Sequence, residues 1–187
     1  MQHKYAREMM ATPLNRRQFL RGDFQARRSP LRPPWAVAEK EFTGRCTTCG
    51  DCVRACPSHI LIAGGRGLPE IDFSRGECGF CGECADACKT EALSRKAYKT
   101  LPWVYHAVID DEACLTSRGV VCASCREACV ASAIRLPPRA GTAARPILNF
   151  DACTGCGACV APCPVNAIHV RPRSAATDSR HEEPRCT

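Results

Sequence analysis

Cys46-Thr47-Thr48-Cys49-Gly50-Asp51-Cys52-Val53-Arg54-Ala55-Cys56-Pro57 sets four thiols at the spacing C-x2-C-x2-C-x3-C and follows the last with proline. Working outward, the pattern returns. Cys78, Cys81, Cys84 and Cys88 repeat it, with Lys89 in place of the proline, and Cys153, Cys156, Cys159 and Cys163 repeat it again, followed by Pro164. Cys122, Cys125 and Cys129 supply the last three positions of a fourth copy, whose first thiol, Cys114, is displaced by the seven residues Leu115–Val121. An internal repeat of this kind governs the reading of the whole chain. It absorbs sixteen of the 17 cysteines and leaves Cys186 over.

The spacing has a chemical reason. A [4Fe–4S] cube presents four irons at tetrahedral corners, each needing one thiolate. Three cysteines two residues apart let a single tight loop wrap three corners. The chain then turns away, so the fourth cysteine reaches a neighbouring cube, the crossing known for two-cluster ferredoxins. Small residues (Gly50, Gly79, Gly82, Gly155, Gly157, Ala158) let the backbone approach a bulky inorganic core, and Pro57 and Pro164 suit the first turn of a helix. A disulfide framework would need an oxidising compartment and well-separated partners. Structural zinc takes paired C-x2-C units, often with histidine, whereas none of the five His falls at ligand spacing.

Crossing assigns Cys46, Cys49, Cys52 and Cys88 to site one and Cys78, Cys81, Cys84 and Cys56 to site two. Site three takes Cys114, Cys122, Cys125 and Cys163, and site four Cys153, Cys156, Cys159 and Cys129. Cys186 is an alternative to Cys114 at the irregular third site, where Gly119 suggests a looped excursion. The expected cofactor is therefore the [4Fe–4S] cluster, four per chain.

The flanks predict the fold. An apolar pair stands four and five residues after each fourth cysteine: Ile60-Leu61, Ala92-Leu93, Ala133-Ile134 and Ala167-Ile168. Short β-type stretches precede three of the first cysteines, at Ile71–Phe73, Val104–Ile109 and Ile147–Phe150. The expectation is an α+β fold of two tandem bacterial-type ferredoxin-like modules, each built around two clusters. The boundaries fall at 1–45 for a basic arm, 46–104 and 105–170 for the modules, and 171–187 for a flexible tail. Residues near 94–104 and Pro137–Pro146 read as linkers or hairpin loops.

Composition limits what else the chain does. With cysteine removed from the 45% hydrophobic residues, and with two Trp, three Tyr and six Phe, the supply of core is thin, and ligation has to supplement burial. Residues 1–45 carry ten Lys/Arg against four Asp/Glu, 46–170 twelve against twelve and 171–187 four against three, so +6 of the net charge of +7 resides in the arm. No nucleic-acid recognition motif or interleaved aromatics accompany it, and no apolar run is long enough for a membrane span. No phosphate loop or nucleophile–base pairing is visible. His59 and His169 read as exposed or packed side chains, and Asp110, Asp111, Glu112 and Asp151 as turn and cap residues. What remains is one-electron transfer: no catalytic residues, and an electron-transfer or accessory role instead of an enzyme. The arm holds Asn15-Arg16-Arg17-Gln18-Phe19-Leu20-Arg21-Gly22, a twin-arginine-like motif. Polar residues and prolines follow where a signal would turn apolar, so it reads equally as a short helix with a capping box from Asn15 to Gln18.

The arm motif, Arg32-Pro33-Pro34-Trp35, and four cysteine runs of which the third has a displaced first thiol resemble the NapF family of ferredoxin-type proteins, over residues 14–170. That resemblance implies a cytoplasmic, four-cluster protein encoded with periplasmic nitrate reductases. Its implied partner is the cytoplasmic precursor of the nitrate reductase catalytic subunit, whose maturation it assists before export. Lys89 and Val130 depart from the proline that often follows the fourth cysteine and leave the local helix starts open.

Overall fold

A computed structural model describes residues 30–97 and 105–173. The twin-arginine-like segment and Cys186 lie outside the described residues. The described residues from Leu31 onward form one compact unit, built from two copies of the same small topology.

In the first copy, strands β1 (Leu61–Ala63) and β2 (Pro69–Ile71) form an antiparallel hairpin with Leu61 opposite Ile71. An isolated antiparallel bridge from Ala36 to Leu93 joins the two ends of the module. In the second copy the same two pairings recur. Strand β3 (Tyr105–Ile109) pairs with β6 (Ile168–Pro172), with Val108 opposite His169, and β4 (Ile134–Arg135) pairs with β5 (Ile147–Leu148) around the Pro137–Pro146 loop. In both modules an inner hairpin is embraced by a pairing between the module's two ends. Helix α1 (Glu39–Arg45) makes about two turns, and the helices inside the cysteine runs are little more than single turns, as runs so dense in glycine and ligands permit: α2 (Asp51–Ala55), α3 (Glu83–Asp86) and α4 (Ser124–Glu127). Among the described residues no helix is long and apolar enough to cross a membrane.

The core is divided as the repeat predicts. All four apolar pairs are buried, at 1% to 3% exposure. Phe42, Ile60, Leu61, Ile71 and Phe73 centre the first module, and Ala107, Ile134, Leu148 and Ile168 the second. His106 is buried edge-to-face against Phe150, with ring centres 5.0 Å apart.

Two boundaries differ from the sequence expectation. Leu31–Arg45, assigned to the arm, is part of the first module. Phe42 on α1 is fully buried, Pro33 and Pro34 are buried beside it, and Arg32 is only 8% exposed. A buried arginine needs partners. Arg32 finds Glu39 through Nε and Nη2 (2.9 and 2.8 Å), the Pro69 carbonyl through Nη1 (3.1 Å), and the face of Phe42. At the other end, Arg171 and Pro172 complete β6, and the Arg173 guanidinium donates to the carbonyls of Phe150 and Cys153 at 2.6 and 2.9 Å. These three residues, assigned to the tail, hold the entry to the fourth cysteine run.

Candidate cluster sites

The crossed quartets converge. Cys46, Cys49, Cys52 and Cys88 line one cavity, Cys114, Cys122, Cys125 and Cys163 a second, and Cys129, Cys153, Cys156 and Cys159 a third. The remaining four are neighbours as well: Cys84 has the thiols of Cys78, Cys56 and Cys81 around it, together with that of Cys52 from the first quartet. None of the sixteen is paired in a disulfide. Each site thus takes three thiols from one run and the fourth from its partner run, and Cys114, despite its displacement, lies with the third quartet.

Local backbone explains how. In three runs the residues on either side of the second cysteine adopt left-handed conformations. They are Thr48 and Gly50 (φ 55° and 76°), Phe80 and Gly82 (52° and 83°), and Gly155 and Gly157 (73° and 80°). Two such residues bracketing one cysteine curl the loop so that three thiols face a common centre, and glycine is favoured at the second because a side chain there is strained. After every fourth cysteine the residue three positions on is left-handed too: His59, Glu91, Ser132 and Asn166, at φ 50° to 53°. Each of these four donates its N–H to the carbonyl of its cysteine, at 3.1, 3.4, 2.9 and 3.2 Å. The turn forms with Pro57, Lys89, Val130 or Pro164 alike, so the departures at Lys89 and Val130 do not alter it. Beyond it, the Leu93, Ala133 and Ala167 N–H groups donate to Cys88, Cys129 and Cys163 Sγ at 3.4, 3.3 and 3.2 Å. Donors aimed at sulfur stabilise the charge that a thiolate ligand carries.

The third run begins differently. A 3-10 turn, Leu115–Arg118, closed by Gly119 at φ 80°, fills the gap after Cys114. Ala123, the counterpart of Gly50, Gly82 and Gly157, has φ −129°. Two hydroxyls compensate with polar contact: Thr116 Oγ1, on a residue 5% exposed, stands 3.2 Å from Cys114 Sγ, and Ser124 Oγ 3.6 Å from Cys122 Sγ. These two went unremarked in the sequence, although a Ser or Thr two residues after a ligand is a readable signal. Asp110 does act as a turn residue, its Oδ1 accepting the Glu112 and Ala113 N–H groups at 3.0 and 3.3 Å. His59 is exposed and His169 half-buried on β6.

Burial pushes several thiols up: Cys52, Cys78 and Cys125 to about 11, Cys84 and Cys159 to about 12, with neighbouring thiols adding to the effect. A metal bound by such thiols has to displace their protons. Among the described residues no three His, Cys, Asp or Glu side chains close on a single-ion point. The thiols stand around cavities, the donor set a cube requires.

Two family models match the chain: a 4Fe-4S dicluster domain over residues 45–92 and a 4Fe-4S binding domain over 146–169. The irregular third run lies between them. The ferredoxin-type protein NapF of Haemophilus influenzae is 46% identical over 170 residues, covering 86% of this chain and 95% of that protein. The chain belongs to the NapF family. Its Escherichia coli relative NapF is 38% identical over 159 residues, covering 85% and 95%. The methylamine utilization ferredoxin-type protein MauM of Methylorubrum extorquens is 33% identical over 177 residues, covering 86% and 80%. Like other ferredoxin-type members of the NapF family, the chain has two 4Fe-4S domains of mixed helix and strand and binds [4Fe–4S] clusters. Iron–sulfur proteins of this type are electron carriers.

Proposed function

We propose that the chain is a cytoplasmic protein of four [4Fe–4S] clusters that binds the precursor of the periplasmic nitrate reductase catalytic subunit and serves its maturation before export. The observation that carries the cluster content is the convergence of the sixteen cysteines in four crossed quartets, three of them lining cavities. Membership in the NapF family supports the partner. When bound, each cube supplies one-electron chemistry at a potential set by hydrogen bonds to its sulfurs and by solvent exposure. The protein's own residues do the rest. The left-handed loops orient three thiols, the Leu93, Ala133 and Ala167 N–H groups hold charge on the fourth, and the buried apolar pairs exclude water behind them. The basic arm, carrying the Phe19-Leu20 pair, is the segment proposed to dock on the precursor.

Two measurements test this reading. Anaerobic analysis of the purified protein should find about sixteen irons and sixteen acid-labile sulfides per chain; zinc in place of iron would overturn it. The cluster-loaded protein, used as bait, should capture the cytoplasmic precursor of the catalytic subunit in preference to the exported form, and should lose that capture when residues 1–30 are removed. Equal capture of both forms would assign the chain to general electron transfer between a donor and a reductase.

A further inference from the structure

The two modules meet at their thiol loops. The Cys78 N–H donates to the Cys156 carbonyl at 2.9 Å, so a residue of the second quartet is hydrogen-bonded through the backbone to one of the fourth. The Cys78 thiol has Cys156 among its neighbours, besides Cys56 and Cys81 of its own site. Phe73, 5% exposed, packs over Gly157, the residue after Cys156, where an added Cβ would run into its ring. Val160 touches the cores of both modules, Val170 of β6 belongs to the first module's core, and Tyr105 Oη accepts the Arg32 N–H at 3.2 Å. The junction is therefore packed and hydrogen-bonded on several sides, with ligand-bearing backbone at its centre.

Within a module the two sites are joined by the crossing itself. α2 carries the chain from Cys52 of site one to Cys56 of site two, and the single turn α4 carries it from Cys125 of site three to Cys129 of site four. Sites two and four additionally share the Cys78–Cys156 contact, which neither site one nor site three enters.

We infer that the Cys78–Cys156 hydrogen bond, clamped by Phe73 on Gly157, is the electron-transfer link between the modules, so that the four sites form one line in the order one, two, four, three. The inference rests on the four-cluster reading above. One electron given up on the Cys78 side is taken up on the Cys156 side; no bond and no proton changes place, so no further reactant is needed. Partners that load and unload the line then meet it at its ends, at the exposed Cys49 of site one and beside the exposed Val120 and Val121 that precede Cys122 of site three.

The test uses the full, cluster-loaded chain, reduced with dithionite under anaerobic conditions and read by electron paramagnetic resonance. The paired variant Cys49→Ala with Cys122→Ala disables the outer sites and should keep a spectrum split by magnetic coupling between the two inner clusters. Cys81→Ala with Cys122→Ala leaves sites one and four and should give the sum of two isolated spectra. Adding Phe73→Ala to the first pair should remove the splitting while iron content holds. Isolated spectra from the first pair, with both inner clusters present by iron analysis, would overturn the link. Should a paired variant fail to load, the intact chain decides by rate: an electron injected by a light-driven reductant, at protein concentrations too low for exchange between molecules, should pass from one module to the other several-fold more slowly in Phe73→Ala than in the unaltered chain, and an unchanged rate would overturn the link. Iron and sulfide counts on the intact protein separate these outcomes from a failure of the four-cluster reading, which would show as fewer than four clusters before any spectrum is taken.

Discussion

After Cys49, Cys81 and Cys156 the chain turns through a glycine at φ 76°, 83° and 80°; after Cys122 it passes through Ala123 at −129°. Three loops thus reach a common thiol geometry through backbone that favours glycine. The third site reaches it by another route, with a displaced Cys114, a 3-10 turn and hydroxyls on two of its sulfurs. The halves of the repeat that follow the fourth cysteine are alike in all four runs, down to the left-handed residue and the buried apolar pair. The departure is confined to the side that supplies the first three ligands. A cluster-binding run is therefore two separable pieces: an exit turn fixed by packing, and a ligand loop that tolerates more than one conformation provided the thiols arrive.

Breaking that contrast most directly means removing ligands. On the proposed four-cluster content, Cys114→Ala should cost about four of sixteen irons and little thermal stability, because the thiol sits in a half-buried, locally built loop. Cys84→Ala, at 7% exposure beside the module junction, should lose at least as much iron and also lower the melting temperature, measured by circular dichroism on the loaded protein. Equal melting temperatures would erase the distinction between the sites.

A smaller effect tests the backbone itself. Gly82→Ala should destabilise by about 1–2 kcal/mol through left-handed strain. It also displaces the Arg95 guanidinium, which is held by the Cys81 carbonyl, Asp86 and the face of Trp35. Ala123→Gly, at a position that asks nothing of glycine, should cost only about 0.4–1 kcal/mol by loosening the unfolded chain. Chemical denaturation of the two variants side by side measures the difference.

The finest test concerns potential. A hydroxyl donating to a ligand sulfur favours the reduced, more negative cluster and raises its potential. Thr116→Val, nearly isosteric and buried, should shift one cluster to a lower potential in a spectroscopically monitored redox titration and leave the others in place. Ser124→Ala, its hydroxyl 3.6 Å from Cys122 Sγ, should move the same cluster by less. Thr90→Ala, with the exposed Thr90 hydroxyl 3.7 Å from Cys88 Sγ, should move site one least of all.

The grouping of the thiols was legible from spacing, because cysteines two and three residues apart leave a cube few ways to be held, and the cavities bring together the same sets of cysteines. The apolar pairs were readable for the same reason: Ile60-Leu61 and its three counterparts recur at a fixed offset. Leu31–Arg45 was not, since proline and charge mark a linker in composition, and only the distant pairings of Arg32 with Pro69 and of Ala36 with Leu93 make it part of a core. The Cys78–Cys156 contact was equally hidden. It joins residues far apart in the chain through backbone atoms, which no side-chain pattern reports. The route taken at Ala123 stayed invisible because alanine accepts the conformation adopted and rules out few others.

The crossing also imposes an order in time. A nascent chain emerges from its amino end, and domains form as their residues become available. Cys46, Cys49 and Cys52 must wait for Cys88, and the first module closes only when Leu93 reaches Ala36. The second is held open longer: site three lacks a ligand until Cys163 appears, and β3 has no partner until β6, Ile168–Pro172, has been made. Metal loading of the first module can thus precede completion of the second, which leaves a half-finished, already charged scaffold against which the later half is assembled.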